Sequence, residues 1–136
     1  MKRICVIDGQ GGGIGSAVIK KLKNQFGESV EIIALGTNAI ATAQMLKAKA
    51  NRGASGENAI VHTVANVDLI IGTIAIIMAN SMMGEVTPRM AEAVANSPAK
   101  KLLIPLFQEN VVIVGITPEP LPHLIETLIE ENLKNI

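Results

Sequence analysis

Apolar residues in the first part of the chain form short continuous runs, and each run is followed by an amphipathic segment. The runs at 3–7 and 30–35 are typical of strands that are buried on both faces of a sheet. The segments at 14–26 and 39–50 have the apolar spacing of helices that bury one side. The pattern therefore predicts strand, helix, strand and helix, in that order.

The alternation continues through the rest of the chain. The further predicted elements are a short helix at 57–66, a strand at 68–72, a buried helix at 74–83, a helix from Thr87–Pro88 to about Asn96, strands at 101–106 and 111–116, and a final amphipathic helix after Pro118. Thr87 supplies a capping hydroxyl and Pro88 suits the first helical position. Because only 107–110 separates the last two strands, we expect them to pair antiparallel.

Strands that alternate with helices indicate an α/β fold. We expect a single domain over residues 1–136, with a Rossmann-like three-layer sandwich and a mostly parallel sheet of about five strands with an antiparallel edge. Right-handed crossovers bring every strand-to-helix turn to the carboxyl edge of such a sheet, where ligands bind. The candidate chemistry should therefore lie in those turns.

The turn after the first strand holds five glycines within the seven positions 9–15. A strand, a glycine turn and a helix together direct backbone amides and a helix N-terminus at an anion, which predicts phosphate binding. The candidate phosphate-binding residues are Gly9, Gln10, Gly11, Gly12, Gly13, Ile14, Gly15 and Ser16. The ends of the next two strands add Thr37, Asn38, Gly72 and Thr73.

Residues 51–56 pose a geometric question. The helix at 39–50 spans ~18 Å and ends at the edge opposite the glycine turn. If 57–66 is a helix that feeds the strand at 68–72, then 51–56 must return to the carboxyl edge, and six extended residues reach ~20 Å. The segment would then lie beside the glycine turn. Alternatively, 59–64 is irregular and 51–56 is a connection at the far edge.

Composition excludes several classes of partner. The chain has 136 residues, a net charge of zero, no Trp or Tyr, and only Phe26 and Phe107 as aromatics. Neutral charge and few aromatics argue against nucleic acid, and the longest apolar stretch, 69–79, is too short to span a bilayer. We expect a cytoplasmic protein. The lone Cys5 excludes an internal disulfide and is expected to be a buried, inert thiol.

Isolated polar residues give weaker signals. Asp8 should cap turn amides or, alternatively, hold a metal. Glu85 could be a general base or could face solvent, with Asn80 and Arg89 nearby in the chain. His62 and His123 have no further ligand at metal-binding spacing, so we expect structural or exposed roles. The Met- and Ile-rich stretch at 74–83 favours association into a homodimer.

The glycine turn resembles that of short-chain dehydrogenases. Gly9, Gly13 and Gly15 match their Gly-x-x-x-Gly-x-Gly turn, which implies NAD or NADP as a cofactor. The resemblance covers only the first strand, turn and helix, and the absence of tyrosine excludes the Tyr-x-x-x-Lys catalytic pair of that family. The second strand also ends in Thr37-Asn38 without the usual ribose-binding acid, so these two residues would hold a ribose by neutral hydrogen bonds.

The chain as a whole resembles a family of short bacterial proteins known only as a domain of unknown function. The matching motifs are IDGQGGGIG at the start, GENA at 56–59, MGEVTP at 83–88 and KKLLIP at 100–105. This resemblance implies a Rossmann-like fold and no particular activity. A P-loop hydrolase is disfavoured, because Gln10 and Ser16 stand where such a loop would need lysines.

Three functions remain open. The first is a sensor or regulatory module that binds a nucleotide, a dinucleotide or another phosphorylated small molecule. The second is an enzyme that uses NADP or a phosphorylated substrate, which requires Asp8, Glu85 and Arg89 to converge on the glycine turn. The third is an oligomeric scaffold with a relic glycine turn, which requires side chains to block the mouth of that turn.

Overall fold

A computed structural model describes residues 1–106 and 110–134 of the chain. The strands are β1 (Lys2–Asp8), β2 (Val30–Gly36), β3 (Arg52–Ser55), β4 (Leu69–Thr73) and β5 (Lys100–Ile104). The helices are α1 (Gly13–Phe26), α2 (Ala39–Lys47), α3 (Glu57–Thr63), α4 (Pro88–Asn96) and α5 (Leu121–Thr127). A π-helical turn at Leu128–Asn132 extends α5, and 3₁₀ turns lie at Gly27–Ser29, Val64–Asn66 and Ile74–Ile77.

The five strands form one sheet in the order β3-β2-β1-β4-β5, and every neighbouring pair is parallel. This confirms the α/β, Rossmann-like fold. The strand order reverses between β1 and β4, because the chain runs outward from β1 to β3 and then crosses to β4. In open α/β sheets, the crevice at such a reversal is where ligands bind.

Helices cover both faces of the sheet and divide the core in two. On one face, α1, α2 and α5 pack Val18, Leu22, Met45 and Ile125 against the sheet. On the other face, a second cluster holds side chains from α3 and α4, including Ile60 and Met90. The two clusters fix the positions of the strand ends and of the loops that follow them.

Residues 52–55 form the edge strand β3, although the sequence pattern predicts a loop. Ser55 pairs with Gly36 at the carboxyl end of β2, so of the two alternatives for 51–56 the structure shows the return to that edge. Asn51 fixes the start of the strand, because its side-chain oxygen accepts a hydrogen bond from the Ile32 amide at 2.8 Å. The pattern Arg-Gly-Ala-Ser escapes prediction because all four residues are exposed and none of them contributes to a core.

The predicted strand at 111–116 and the antiparallel edge are both wrong. The segment 111–116 is irregular, and β5 pairs parallel with β4. Val112 and Val114 are 82% and 94% exposed, so the β-branched residues of this segment are not buried against the sheet. Residues 107–109, between the two expected strands, lie outside the described residues.

The predicted helix at 74–83 is also wrong. The 3₁₀ turn at Ile74–Ile77 gives way to a series of turns, which we call the 78–86 loop. Asn80, Met82 and Met83 have φ angles of 66°, 55° and 57°, and such left-handed conformations end a right-handed helix. The apolar content of 74–83 comes from core packing by Ile76 rather than from a helical face.

Candidate functional site

The glycine turn is closely packed at three of its positions. A Cβ at Gly12 would lie 2.8 Å from the Ala41 carbonyl oxygen, and one at Gly15 would lie 2.6 Å from the Met45 sulfur. Gly12 also has a φ of 74°. A Cβ at Gly9 would lie 2.6 Å from the Met82 sulfur. These glycines therefore allow α1, α2 and the 78–86 loop to approach β1.

Asp8 caps the glycine turn from within. Its carboxylate accepts hydrogen bonds from the Gly9 amide at 2.8 Å and from the Gly15 amide at 2.7 Å. The capping role expected for Asp8 is thus confirmed, and both amides are already engaged by an anion. Burial raises the pKa of Asp8, the two amides oppose that rise, and the nearby Glu85 carboxylate adds to it.

Glu85 reaches from the 78–86 loop to the end of β2. Its Oε1 atom accepts hydrogen bonds from the Gln10 amide (2.8 Å), the Thr37 hydroxyl (2.6 Å) and the Asn38 side-chain amide (2.9 Å). These donors lower the pKa of Glu85, with Thr37 contributing most. Three of the expected ligand-binding residues therefore converge on one ionised carboxylate.

The 78–86 loop closes over Gly9 and is held by its own hydrogen bonds. The Asn80 amide donates to the Val86 carbonyl at 2.7 Å, and the Ser81 hydroxyl donates to the Ala75 carbonyl at 2.6 Å. Met82 and Glu85 then fill the space above Gly9, so side chains block that part of the mouth.

Gly11 and Gly13 form the open part of the turn. Both residues are exposed, and a Cβ at either position would meet no other atom within 4 Å. Among residues 1–106 and 110–134, no hydrogen bond from the amide of Gly11 or Gly13 is found. Gly13 is the first residue of α1, where amides have no partner within the helix.

The remaining expected residues have internal roles. The Ser16 hydroxyl donates to the Gly12 carbonyl at 2.7 Å, and Ile14 packs partly against the core. Asn38 caps α2 by accepting from the Ala41 amide at 2.8 Å. Gly72 is buried at the end of β4, where a Cβ would lie 2.8 Å from Ile76, and Thr73 is 6% exposed.

Only two of the three residues that the enzyme hypothesis requires at the glycine turn are found in contact with it. Asp8 and Glu85 both contact the glycine turn, but Arg89 lies 3.6 Å from Glu57, with which it forms an exposed ion pair. Glu57 also accepts a hydrogen bond from the Thr87 hydroxyl. Within the described residues, Arg89 therefore pairs with Glu57 and forms no hydrogen bond or ion pair with the glycine turn.

Within the described residues, neither histidine forms a hydrogen bond or an ion pair with the glycine turn, and the cysteine is buried. His62 is exposed, and His123 lies 3.4 Å from Glu119. Cys5 is fully buried as expected, and burial raises the pKa of its thiol. Over the described parts of the chain, no helix is long and apolar enough to cross a membrane.

The contact between Glu85 and the end of β2 was not predicted from the sequence. The sequence shows that β2 lacks an acid at its end, and it shows an acid beside Gly84 in a segment that follows β4. Parallel topology brings both places to the carboxyl edge. The signal was present, but it required the 78–86 loop to fold back rather than to continue as a helix.

A family model described as a domain of unknown function (DUF3842) matches residues 3–136. No curated protein matches the chain. The comparisons give no support to the resemblance between the glycine turn and that of short-chain dehydrogenases.

Two solved structures match the chain. A dodecameric FMN-dependent UbiX-like decarboxylase from Escherichia coli O157:H7 has a TM-score of 0.51 and 15% identity, over 95% of this chain and 91% of that one. A universal stress protein in complex with cAMP has a TM-score of 0.42 and 18% identity, over 77% of this chain and 98% of that one. The first supports the Rossmann-like architecture.

Proposed function

We propose that this chain, which belongs to the DUF3842 family of domains of unknown function, binds a nucleotide or another phosphorylated small molecule at the carboxyl edge of its sheet. The observation that carries the proposal is the pair of exposed, open glycines at the start of α1, beside the point where the strand order reverses. An anion at that place gains from the amides and from the helix dipole.

The contacts around the turn narrow the position of the anion. The amides of Gly9 and Gly15 donate to Asp8, and the amide of Gln10 donates to Glu85. We therefore assign the phosphate to Gly11 and Gly13 and not to the whole turn. A Cβ at Gly11 or Gly13 would meet neither Met82 nor Glu85 within 4 Å, so a phosphate at this position does not clash with those side chains.

The proposal extends to a sensor or regulatory role. The 78–86 loop follows β4, on one side of the crevice. Its residue Glu85 accepts hydrogen bonds from Gln10 after β1 and from Thr37 after β2, on the other side. A ligand on the turn would lie against this loop and would change its contacts. NAD and NADP are two members of the proposed ligand class, and neither is favoured over the wider class of nucleotides.

Substitutions at Gly13 test the proposal. Gly13→Asp places a carboxylate at the N-terminus of α1, which is favourable for the helix but repels a bound phosphate. We expect inorganic pyrophosphate and ribonucleoside diphosphates to raise the melting temperature of the unaltered protein. We expect Gly13→Asp to weaken their binding by about ten-fold or more, equivalent to about 1.4 kcal/mol.

Gly13→Asn is the matched control, because it adds nearly the same volume without the charge. It should bind pyrophosphate within about three-fold of the unaltered protein. A protein that neither pyrophosphate nor any nucleotide stabilises would refute the proposal.

That negative result would favour the scaffold hypothesis instead. The blocked mouth above Gly9 is the specific observation on its side. The same melting-temperature measurements with pyrophosphate and nucleotides therefore decide between the ligand-binding function and the scaffold function.

A further inference from the structure

We propose that Glu85 recognises the hydroxyl groups of a ribose, so that the site selects ribonucleotides over deoxyribonucleotides. This inference rests on the proposed function and adds to it the chemistry of the sugar. It concerns a residue that comes from the loop after β4 and not from β2 itself.

The first step is the location of the Glu85 carboxylate. Thr37 and Asn38 directly follow β2, and both donate to Glu85, as does the amide of Gln10 in the glycine turn. The carboxylate therefore lies at the end of β2 beside the turn. In dinucleotide-binding sheets an acid at that place accepts hydrogen bonds from ribose hydroxyls.

The second step is the asymmetry of the carboxylate. All three hydrogen bonds end on Oε1, and within the described residues none ends on Oε2. Three donors on one oxygen fix the orientation of the group, and the other oxygen keeps its capacity to accept. A rigid acceptor with a free oxygen suits the hydroxyl groups of a sugar.

The third step is charge. Asp8 and Glu85 both contact the glycine turn, the Glu85 carboxylate helps to raise the pKa of Asp8, and within the described residues no cation forms an ion pair with Glu85. A phosphate on the sugar would meet this negative charge directly. The site should therefore also reject nucleotides that carry a 2′-phosphate, and this removes NADP from the ligand class proposed above.

The experiment compares matched nucleotides by isothermal titration calorimetry. The probes are ADP, GDP, CDP and UDP, their 2′-deoxy counterparts, adenosine 2′,5′-bisphosphate with AMP as its pair, and inorganic pyrophosphate. We expect the preferred ribonucleotide to bind about ten-fold tighter than its deoxy form, because the lost hydroxyl leaves a charged acceptor without its partner.

Glu85→Gln separates recognition from stability. The glutamine carbonyl oxygen can replace Oε1 as the acceptor for Gln10, Thr37 and Asn38, but its amide replaces the free oxygen with a donor. We expect the ribose preference to fall to about two-fold or less, with pyrophosphate bound at least as tightly as before. Circular dichroism checks that the variant remains folded.

Glu57→Gln is the matched control, since Glu57 is a carboxylate near the same edge whose partners are Thr87 and Arg89. It should keep the ribose preference of the unaltered protein. Equal binding of ribo and deoxy forms, or a preference that Glu85→Gln leaves unchanged, would overturn the inference while the proposed function stands. Absence of any binding, pyrophosphate included, would overturn both.

Discussion

At the scale of single residues, Asp8 and Glu85 contact the same glycine turn, yet their surroundings move their pKa values in opposite directions. Asp8 is 6% exposed, and loss of hydration outweighs its backbone donors. Glu85 is only half-buried, so its donors prevail. The two carboxylates should therefore contribute to stability with opposite dependence on pH.

Asp8 should make the protein less stable as pH rises. Its folded pKa lies above the ordinary value of 3.8, so the folded state binds more protons than the unfolded state between these two pKa values. We expect the free energy of unfolding of the unaltered protein, minus that of Asp8→Asn, to fall as pH rises above 3.8. Urea unfolding at a series of pH values measures this difference, and a difference that rises with pH would contradict the assignment.

Two features of this comparison help to interpret it. Asp8→Asn should itself cost about 1–3 kcal/mol near neutral pH, because one of the two turn amides loses its acceptor. For Glu85→Gln we expect the opposite dependence of stability on pH. The lowered folded pKa of Glu85 gives stability that is present above the ordinary value of 4.5 and is lost as pH falls through the folded pKa.

The sequence predicts the contacts of Asp8 well and those of Glu85 poorly, because the partners of Asp8 are near it along the chain and those of Glu85 are far from it. Asp8 caps residues within seven positions of itself, so the turn alone predicts the contact. Glu85 meets Gln10 across 75 positions, and that contact depends on how the 78–86 loop folds. Local hydrogen bonds follow from local sequence, whereas contacts between loops need the whole topology.

At the scale of elements, the strands β1, β2 and β4 and the helix α1 follow closely from apolar periodicity, because each contributes to a core. β3 was missed, since its pairing depends on β2 and not on burial of its own side chains. The stretch at 74–83 was misread because continuous apolar residues fit either a buried helix or a packed loop. Asn80 and Gly84 are residue types that suit the left-handed conformation, but Met82 and Met83 adopt it without any signal in the sequence.

The strain of that loop can be tested at Met83, which is 96% exposed and has a φ of 57°. Asparagine tolerates the left-handed conformation better than methionine, and little packing is lost at so exposed a position. We expect Met83→Asn to raise the free energy of unfolding by about 0.5–1 kcal/mol, as measured by urea denaturation.

Met83→Leu is the control for this substitution, because it keeps an apolar side chain in the same conformation and should leave stability unchanged. Equal stability of the Asn and Leu variants would show that the loop is not strained at this residue.

At the scale of the whole molecule, the exposed apolar residues that favour association are not those of the stretch that the sequence analysis indicates. The stretch at 74–83 is packed into the core apart from residues such as Met83, whereas Val112, Val114 and Ile116 are exposed together on one segment. Homodimerisation stays a prediction, and these three residues are now the better candidates for its contact.

Light scattering at increasing concentration tests this prediction. We expect the unaltered protein to have the mass of a dimer, and the double variant Val112→Thr and Val114→Thr to shift it towards the monomer, because threonine keeps the β-branched shape while exposing a hydroxyl. A monomeric mass at every concentration would refute the prediction.

The strand order has one further consequence, for aggregation. β3 and β5 are the ends of the sheet, and an edge strand can template pairing with a foreign strand. Here both are short and carry cations, with Arg52 on β3 and Lys100 on β5. Two copies that met through these edges would bring like charges together, most of all at β5, because Arg52 already forms an ion pair with Glu31; we therefore expect these charges to disfavour growth of the sheet into fibrils.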